Sequence, residues 1–165
     1  MTDMNKFYEA CCIFNEVAGN DKKLTLKDFA NQQGYNMEEC QEISDGIAAN
    51  SAKEIFDGVL DNFVTNMGHL QRLKALGFDI EKGMAAVALN NLSKYIELED
   101  TDRLDATLAH YAEKGIDCYF TYNNRHNLYV VKRKSDDKVM KPVGFVSVIL
   151  EQFIPEDILK NGLEV

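Results

Sequence analysis

The chain has 165 residues, is 45% hydrophobic and carries nine Phe and seven Tyr, enough to bury a core and too apolar for a disordered tail. Its formal net charge of −9 and pI near 4.8 argue against broad nucleic-acid binding, which needs a basic surface. A polyphosphate partner would have to arrive with cations.

No basic start followed by an apolar run opens the sequence, so no secretory signal is expected. No stretch reaches the ~20 apolar residues that span a bilayer. Cys11, Cys12, Cys40 and Cys118 form no Cys-x-x-Cys pair. They read as reduced cytoplasmic thiols rather than zinc ligands. With two prolines and neither repeat nor low-complexity run, one domain over 1–165 is expected.

In chain order, 3–18 reads as a first helix, with Phe7, Ala10, Cys11 and Phe14 on one side, ended by Gly19-Asn20-Asp21. A polar connection is expected through Gly34-Tyr35. Asn36 then reads as an N-cap with Glu39 at the capping-box position, and Cys40, Ile43 and Ile47 as the inward face. Glu38, Glu42 and Asp45 lie in a narrow arc away from those apolar residues. A long helix is expected over 52–75, with Phe56, Leu60, Phe63, Met67 and Leu70 as its apolar stripe. Glu54, Asp57 and Asp61 share one face of it, and Gly77 suits its end.

Asp79 can cap a helix over 80–95, which closes on Asn90-Asn91-Leu92-Ser93-Lys94-Tyr95. A short helix starts at Thr101 or Asp102, carries Leu104, Leu108 and Tyr111, and stops at Gly115. Periodicity then changes. Residues 117–122 and 128–133 are rich in Tyr, Phe and Val around Asn123-Asn124-Arg125-His126-Asn127, a β-hairpin pattern. Residues 145–153 are ambiguous between strand and helix. The fold class is mainly α, a helical bundle with a small C-terminal β-hairpin appendage at about 117–145.

Three groups carry possible chemistry. Acids on the polar side of amphipathic helices are most often simply solvated. Against that, Asp57 and Asp61 form an i, i+4 like-charge pair, which costs a few tenths of a kcal/mol unless a cation sits there. Two carboxylate faces meeting would make an oxygen-rich pocket suited to a hard divalent cation. Asn91, Ser93 and Lys94 read either as an ordinary helix end or as donors for a phosphate or base edge. Lys132, Arg133, Lys138 and Lys141 concentrate positive charge in an acidic chain, as a charged hairpin edge or as a landing place for a triphosphate.

Together these blocks resemble the all-α NTP pyrophosphohydrolases, the superfamily of MazG, the dimeric dUTPases and phosphoribosyl-ATP pyrophosphohydrolase. Glu38-Glu39-Cys40-Gln41-Glu42 and Glu54-Ile55-Phe56-Asp57 match its Glu-Glu-x-x-Glu and Glu-x-x-Asp helices in order and type. A subgroup found in bacteriophages and bacteria has a further Asp, as Asp61 here, and an Asn-x-Ser-Lys element, as Asn91-Leu92-Ser93-Lys94. Its C-terminal segment is similar to Tyr129-Val130-Val131, Lys138-Val139-Met140-Lys141-Pro142 and Ile154-Pro155-Glu156-Asp157, with Asp137 here in place of a usual Gly.

The resemblance implies Mg²⁺-dependent hydrolysis of a (deoxy)nucleoside triphosphate to monophosphate and pyrophosphate, with Mn²⁺ able to substitute. It implies Glu38, Glu39, Glu42, Glu54, Asp57 and Asp61 as metal ligands, with Asp57 or Asp61 as the principal aspartate. Glu39 or Glu42 would serve the attacking water. Asn91, Ser93, Lys94, Lys132 and Lys141 would contact substrate. A homodimer or homotetramer is implied too, with no nucleic acid or membrane partner. The alternative is a non-catalytic nucleotide-binding or acidic protein-interaction module on the same fold.

Overall fold

The computed structural model describes residues 4–164; residue 3, the expected start of the first helix, lies outside them. The described chain is mainly helical, 61% helix, with six α-helices and a small three-stranded antiparallel sheet near the C-terminus. No described helix is long and apolar enough to cross a membrane. The chain divides into two compact units, one of residues 1–80 and 151–165, the other of 81–150.

The first unit is built on α1 (Met4–Val17), α2 (Leu26–Ala48) and α3 (Ala52–Ala75), with the short α6 (Glu156–Asn161). Helix α2 begins eleven residues before the expected start, its N-cap at Thr25 rather than Asn36, and runs unbroken through Gly34-Tyr35. Its N-cap is Thr25, whose hydroxyl accepts from the Asp28 amide while the Asp28 carboxylate accepts from the Thr25 amide. This capping box replaces the one expected at Asn36 and Glu39. Asn36 sits mid-helix and buried, and Glu39 is free of any capping role.

The α2–α3 turn is a tight αα-hairpin. Asn50 takes a left-handed conformation (φ 51°), and the Ser51 hydroxyl then accepts from the Glu54 amide to start α3. Residues Gln32, Asn36, Glu39, Ile43 and Gly46 recur at alternating steps of four and three, the spacing of a helix–helix seam. This seam, mostly polar, faces α3. Gln32 Nε2 donates to the Thr65 carbonyl at 2.8 Å and Asn36 Nδ2 to Thr65 Oγ1 at 3.1 Å. Arg72, 3% exposed, donates to Gln32 Oε1 and to the carbonyls of Gly68 and Lys23. The seam closes on two glycines. A Cβ at Gly46 would lie 2.8 Å from the Ile55 nitrogen, and one at Gly58 2.9 Å from Ile43 Cγ1. No other residue lets these backbones meet.

The apolar reading of these helices is therefore partly inverted. Met67 and Cys11 are buried, but Ile47 (63% exposed), Phe56 (66%), Leu60 and Phe63 are open to solvent, and Cys40 is exposed. Burial within the unit went to amides, an arginine and glycines instead. His69 stacks on Phe29, and burial, with Arg72 nearby, holds its imidazole below the usual range.

The second unit holds most of α4 (Ile80–Leu92), then β1 (Ile96–Glu97), α5 (Thr101–Glu113), β2 (Cys118–Asn123) and β3 (Leu128–Arg133). The Asp100 side chain caps α5, accepting from the Arg103 amide. The expected hairpin is present, pairing Phe120 with Val131 and Tyr122 with Tyr129. Strand β1, two residues long and too short to show a period, falls at the end of the expected 80–95 helix. It pairs Ile96 with Tyr129, so the sheet order is β1-β3-β2 and β3 is central. The Lys132–Arg133 strand is thus an inner strand, not the charged hairpin edge considered above.

Ile96, Leu104, Val131 and Met140 form the apolar core here, with Leu108, Tyr111, Ile116 and Tyr129 packed on it. Thr107, fully buried, accepts from the Val143 amide at 3.0 Å, and Arg103 Nε donates to the Val143 carbonyl at 2.9 Å. These bonds hold the 143–146 segment as a loop. Residues 145–153 form no strand or α-helix, only a 3₁₀ turn at Glu151–Phe153.

Candidate functional site

Glu39, on the α2–α3 seam, lies within the fields of four other carboxylates. Glu39 is half-buried on the seam because it takes a seam position. Its carboxyl is pushed above the usual glutamate range, first by desolvation and then by the fields of Glu42, Asp61, Glu38 and Asp57, in that order. Glu38, Glu42, Asp57 and Asp61 are exposed. Two of these acids come from α2 and two from α3.

Glu54 stands somewhat apart. Its carboxylate pairs with Lys53 Nζ at 3.1 Å, with both side chains more than half exposed. A cation thus borders the acidic stripe at its N-terminal end, one residue off the face that the spacing defines. Asp45 is likewise engaged locally, accepting from Gln41 Nε2 at 2.8 Å.

Beside Glu39 lies a cavity of about 330 Å³ in the first unit. Glu39 and Asp61 line it, with Phe14 and Tyr35 as aromatic walls and Asn15, Asn20 and Gln32 as amide walls. The amides are already oriented. Asn15 donates to the Cys11 carbonyl at 2.8 Å and accepts from Asn20 at 3.1 Å. The sequence reading missed these residues, because hydrophobic periodicity is blind to a polar seam. The one available signal was the recurrence Gln32, Asn36, Glu39 at seam spacing. Asn62, also missed, bridges the helices by donating to the Asn36 carbonyl at 3.4 Å and to Cys40 Sγ at 3.2 Å.

The other expected site residues belong to the second unit. Asn91, Ser93 and Lys94 are gathered by local bonds at the end of α4. Lys94 Nζ donates to Asn91 Oδ1 at 2.6 Å, and Ser93 Oγ to the Asn90 carbonyl at 2.8 Å. Lys132 lies on β3. Lys141 Nζ sits 4.8 Å over the Phe145 ring while its carbonyl accepts from the Tyr111 hydroxyl. Arg133 is committed to Asp136, whose carboxyl it holds down at about 2. Asp137 has φ 57°, in the left-handed region where glycine is favoured, and its carboxylate accepts from the Tyr119 hydroxyl at 2.6 Å.

Among the described residues, no group of three or more His, Cys, Asp or Glu side chains is arranged to hold a metal ion. The donor set around Glu39 is all carboxylate, the chemistry a hard cation prefers. Mg²⁺ characteristically takes one or two carboxylates, keeps waters and fills its shell with substrate phosphates, so it does not require a ready-made protein cage. Searches of the chain against protein-family models, curated proteins and solved structures found no match.

Proposed function

We propose that this chain is a Mg²⁺-dependent nucleoside triphosphate pyrophosphohydrolase of the all-α superfamily it resembles. The observation that carries the proposal is the half-buried Glu39, which sits amid four other carboxylates and beside a cavity lined by aromatic and amide groups. Simple solvated faces would keep such charges apart.

In this reading Glu38, Glu42, Asp57 and Asp61 would hold the cation, Glu54 would join them only on releasing Lys53, and Glu39 or Glu42 would serve the attacking water. Mg²⁺, or Mn²⁺ in its place, supplies charge neutralisation of the phosphates and acidifies bound water. Glu39 suits the proton-accepting role, because its desolvated, crowded carboxyl holds a proton more tightly than an ordinary glutamate. The water oxygen bonds to the α-phosphorus as its proton passes to Glu39 or Glu42, the bond from that phosphorus to the bridging oxygen breaks, and pyrophosphate leaves with that oxygen. The nucleoside end enters the Phe14–Tyr35 cavity, where the amide walls offer edge contacts. Asn91, Ser93, Lys94, Lys132 and Lys141 belong to the second unit and are proposed as phosphate contacts from the resemblance alone. The exposed Phe56, Leu60 and Phe63 support a homodimer or homotetramer, since such side chains clustered on one helix mark an association surface. The four free thiols suit a reducing cytoplasmic compartment.

Purified protein with Mg²⁺ should release pyrophosphate from at least one nucleotide of a deoxynucleoside triphosphate panel, and Glu42→Gln should abolish the release. No turnover of any nucleotide with Mg²⁺ or Mn²⁺ would overturn the proposal. The alternative is a nucleotide-binding module without catalysis on the same fold. Calorimetry separates the two: tight binding without metal-dependent turnover identifies the module.

A further inference from the structure

The outer edge of the small sheet is undefended. Strand β2 reads Cys118-Tyr119-Phe120-Thr121-Tyr122-Asn123, with no charged residue and no proline. Edge strands normally carry lysine, proline or a bulge to prevent pairing with another chain. Here the charged residues lie on central β3, and β2 pairs with it in unbroken register from Cys118 to Asn123. Phe120 (48% exposed) and Tyr122 (40%) stand open on this edge.

The direction of the unused backbone groups follows from β3. Val131 accepts from Met140 and Arg133 donates to Lys138, so the odd-numbered residues of β3 serve the side away from β2. Alternation then turns the even residues of β3, and with them Tyr119, Thr121 and Asn123 of β2, toward each other. Cys118, Phe120 and Tyr122 are left with their amides and carbonyls directed outward.

We propose that this edge pairs with β2 of a second copy of the chain, antiparallel about a two-fold axis at Thr121. Phe120 of each strand then faces Tyr122 of the other as a hydrogen-bonded pair, using the backbone groups left outward. Thr121 faces itself across the non-hydrogen-bonded position. The same register brings Asp117, which also pairs with Lys134 Nζ at 2.9 Å in its own chain, toward the turn that carries Arg125 of the partner strand, opposing an acid and a base twice. A two-fold contact requires this self-complementarity. An unrelated peptide would match it only by chance. The product is a continuous six-stranded sheet. The inference is independent of the catalytic proposal and of any helical association.

The test uses the full chain. Thr121→Cys places two thiols at the axis, where opposing Cα atoms are ~4.5 Å apart, within disulfide reach. Mild oxidation should give a dimer whose bridge maps by mass spectrometry to residue 121 in both chains. Tyr119→Cys, about four strand steps from its own copy, should give no such bridge. Phe120→Pro removes an outward amide without touching the β2–β3 ladder, and should weaken self-association about tenfold or more in sedimentation equilibrium, with circular dichroism unchanged. A wild-type monomer at tens of micromolar, equal cross-linking at 119 and 121, or an unchanged association constant in a folded Phe120→Pro variant would each overturn the proposal.

Discussion

The two units solve the burial problem in opposite ways. The second puts Ile96, Leu104, Val131 and Met140 inside and satisfies its one fully buried polar side chain, Thr107, through the Arg103 carbonyl and the Val143 amide. The first buries Asn15, Gln32, Asn36 and Arg72 and turns Phe14, Ile47, Phe56 and Phe63 outward. It also leaves Asp21 Oδ1, His69 Nε2 and Gln71 Oε1 buried without a hydrogen-bond partner. An apolar core is forgiving of detail, whereas a polar seam demands that each donor find its acceptor. The unit with the demanding interior is the one that holds the candidate site, where fixed geometry matters most.

That contrast can be broken or sharpened by substitution. After the loss expected for Glu42→Gln, the next largest effect is expected at Glu39, where Glu39→Gln should lower turnover by about 10²- to 10⁴-fold, the usual worth of a general base. The same change should stabilise the fold near neutral pH. Because the fold raises this carboxyl above its ordinary 4.5, its contribution is fully present below that value and is lost as pH rises through the folded value. Melting temperatures across pH 4 to 8 should therefore decline less steeply with rising pH in the variant. If the two profiles coincide, the carboxylates are not crowded.

In the second unit, Leu104→Ala should cost about 3 kcal/mol as a cavity forms in an apolar core. Hydrogen exchange should show the loss in β1, β3 and α5, with α2 and α3 still protected. A loss spread evenly over both units would erase the distinction between them. In the first unit, Gly46→Ala adds only a methyl yet should cost about 2 kcal/mol, because the new carbon meets the Ile55 backbone rather than a movable side chain. Denaturant titration measures both.

Much of the secondary structure was legible in the sequence. The 52–75 helix, the helix from 101 and the hairpin all stand out by period and turn chemistry. What misled was local plausibility. Asn36-x-x-Glu39 is a good cap pattern, but Thr25-x-x-Asp28 is one too, and a helix begun at Thr25 has no reason to stop at Gly34. The apolar stripe of α3 was correctly periodic, yet of its five residues only Met67 is buried, because period gives a face and not what the face meets. Within the site, the acids were visible as blocks. The glycines that let their helices approach, and the amides beside them, carry no pattern that hydropathy can reveal.

The glycine contacts have a consequence for how this chain can change. At Gly46 the approach of α2 to α3 is set by main chain against main chain, with nothing compressible between. It has no intermediate settings: every other amino acid at Gly46 is a jump, not a step. Ordinary sequence drift can therefore repaint the outer faces of these helices freely while the distance between Glu39 and its α3 neighbours stays where it is. The spacing of the charges is inherited from the backbone, and the side chains around it are at liberty to specialise.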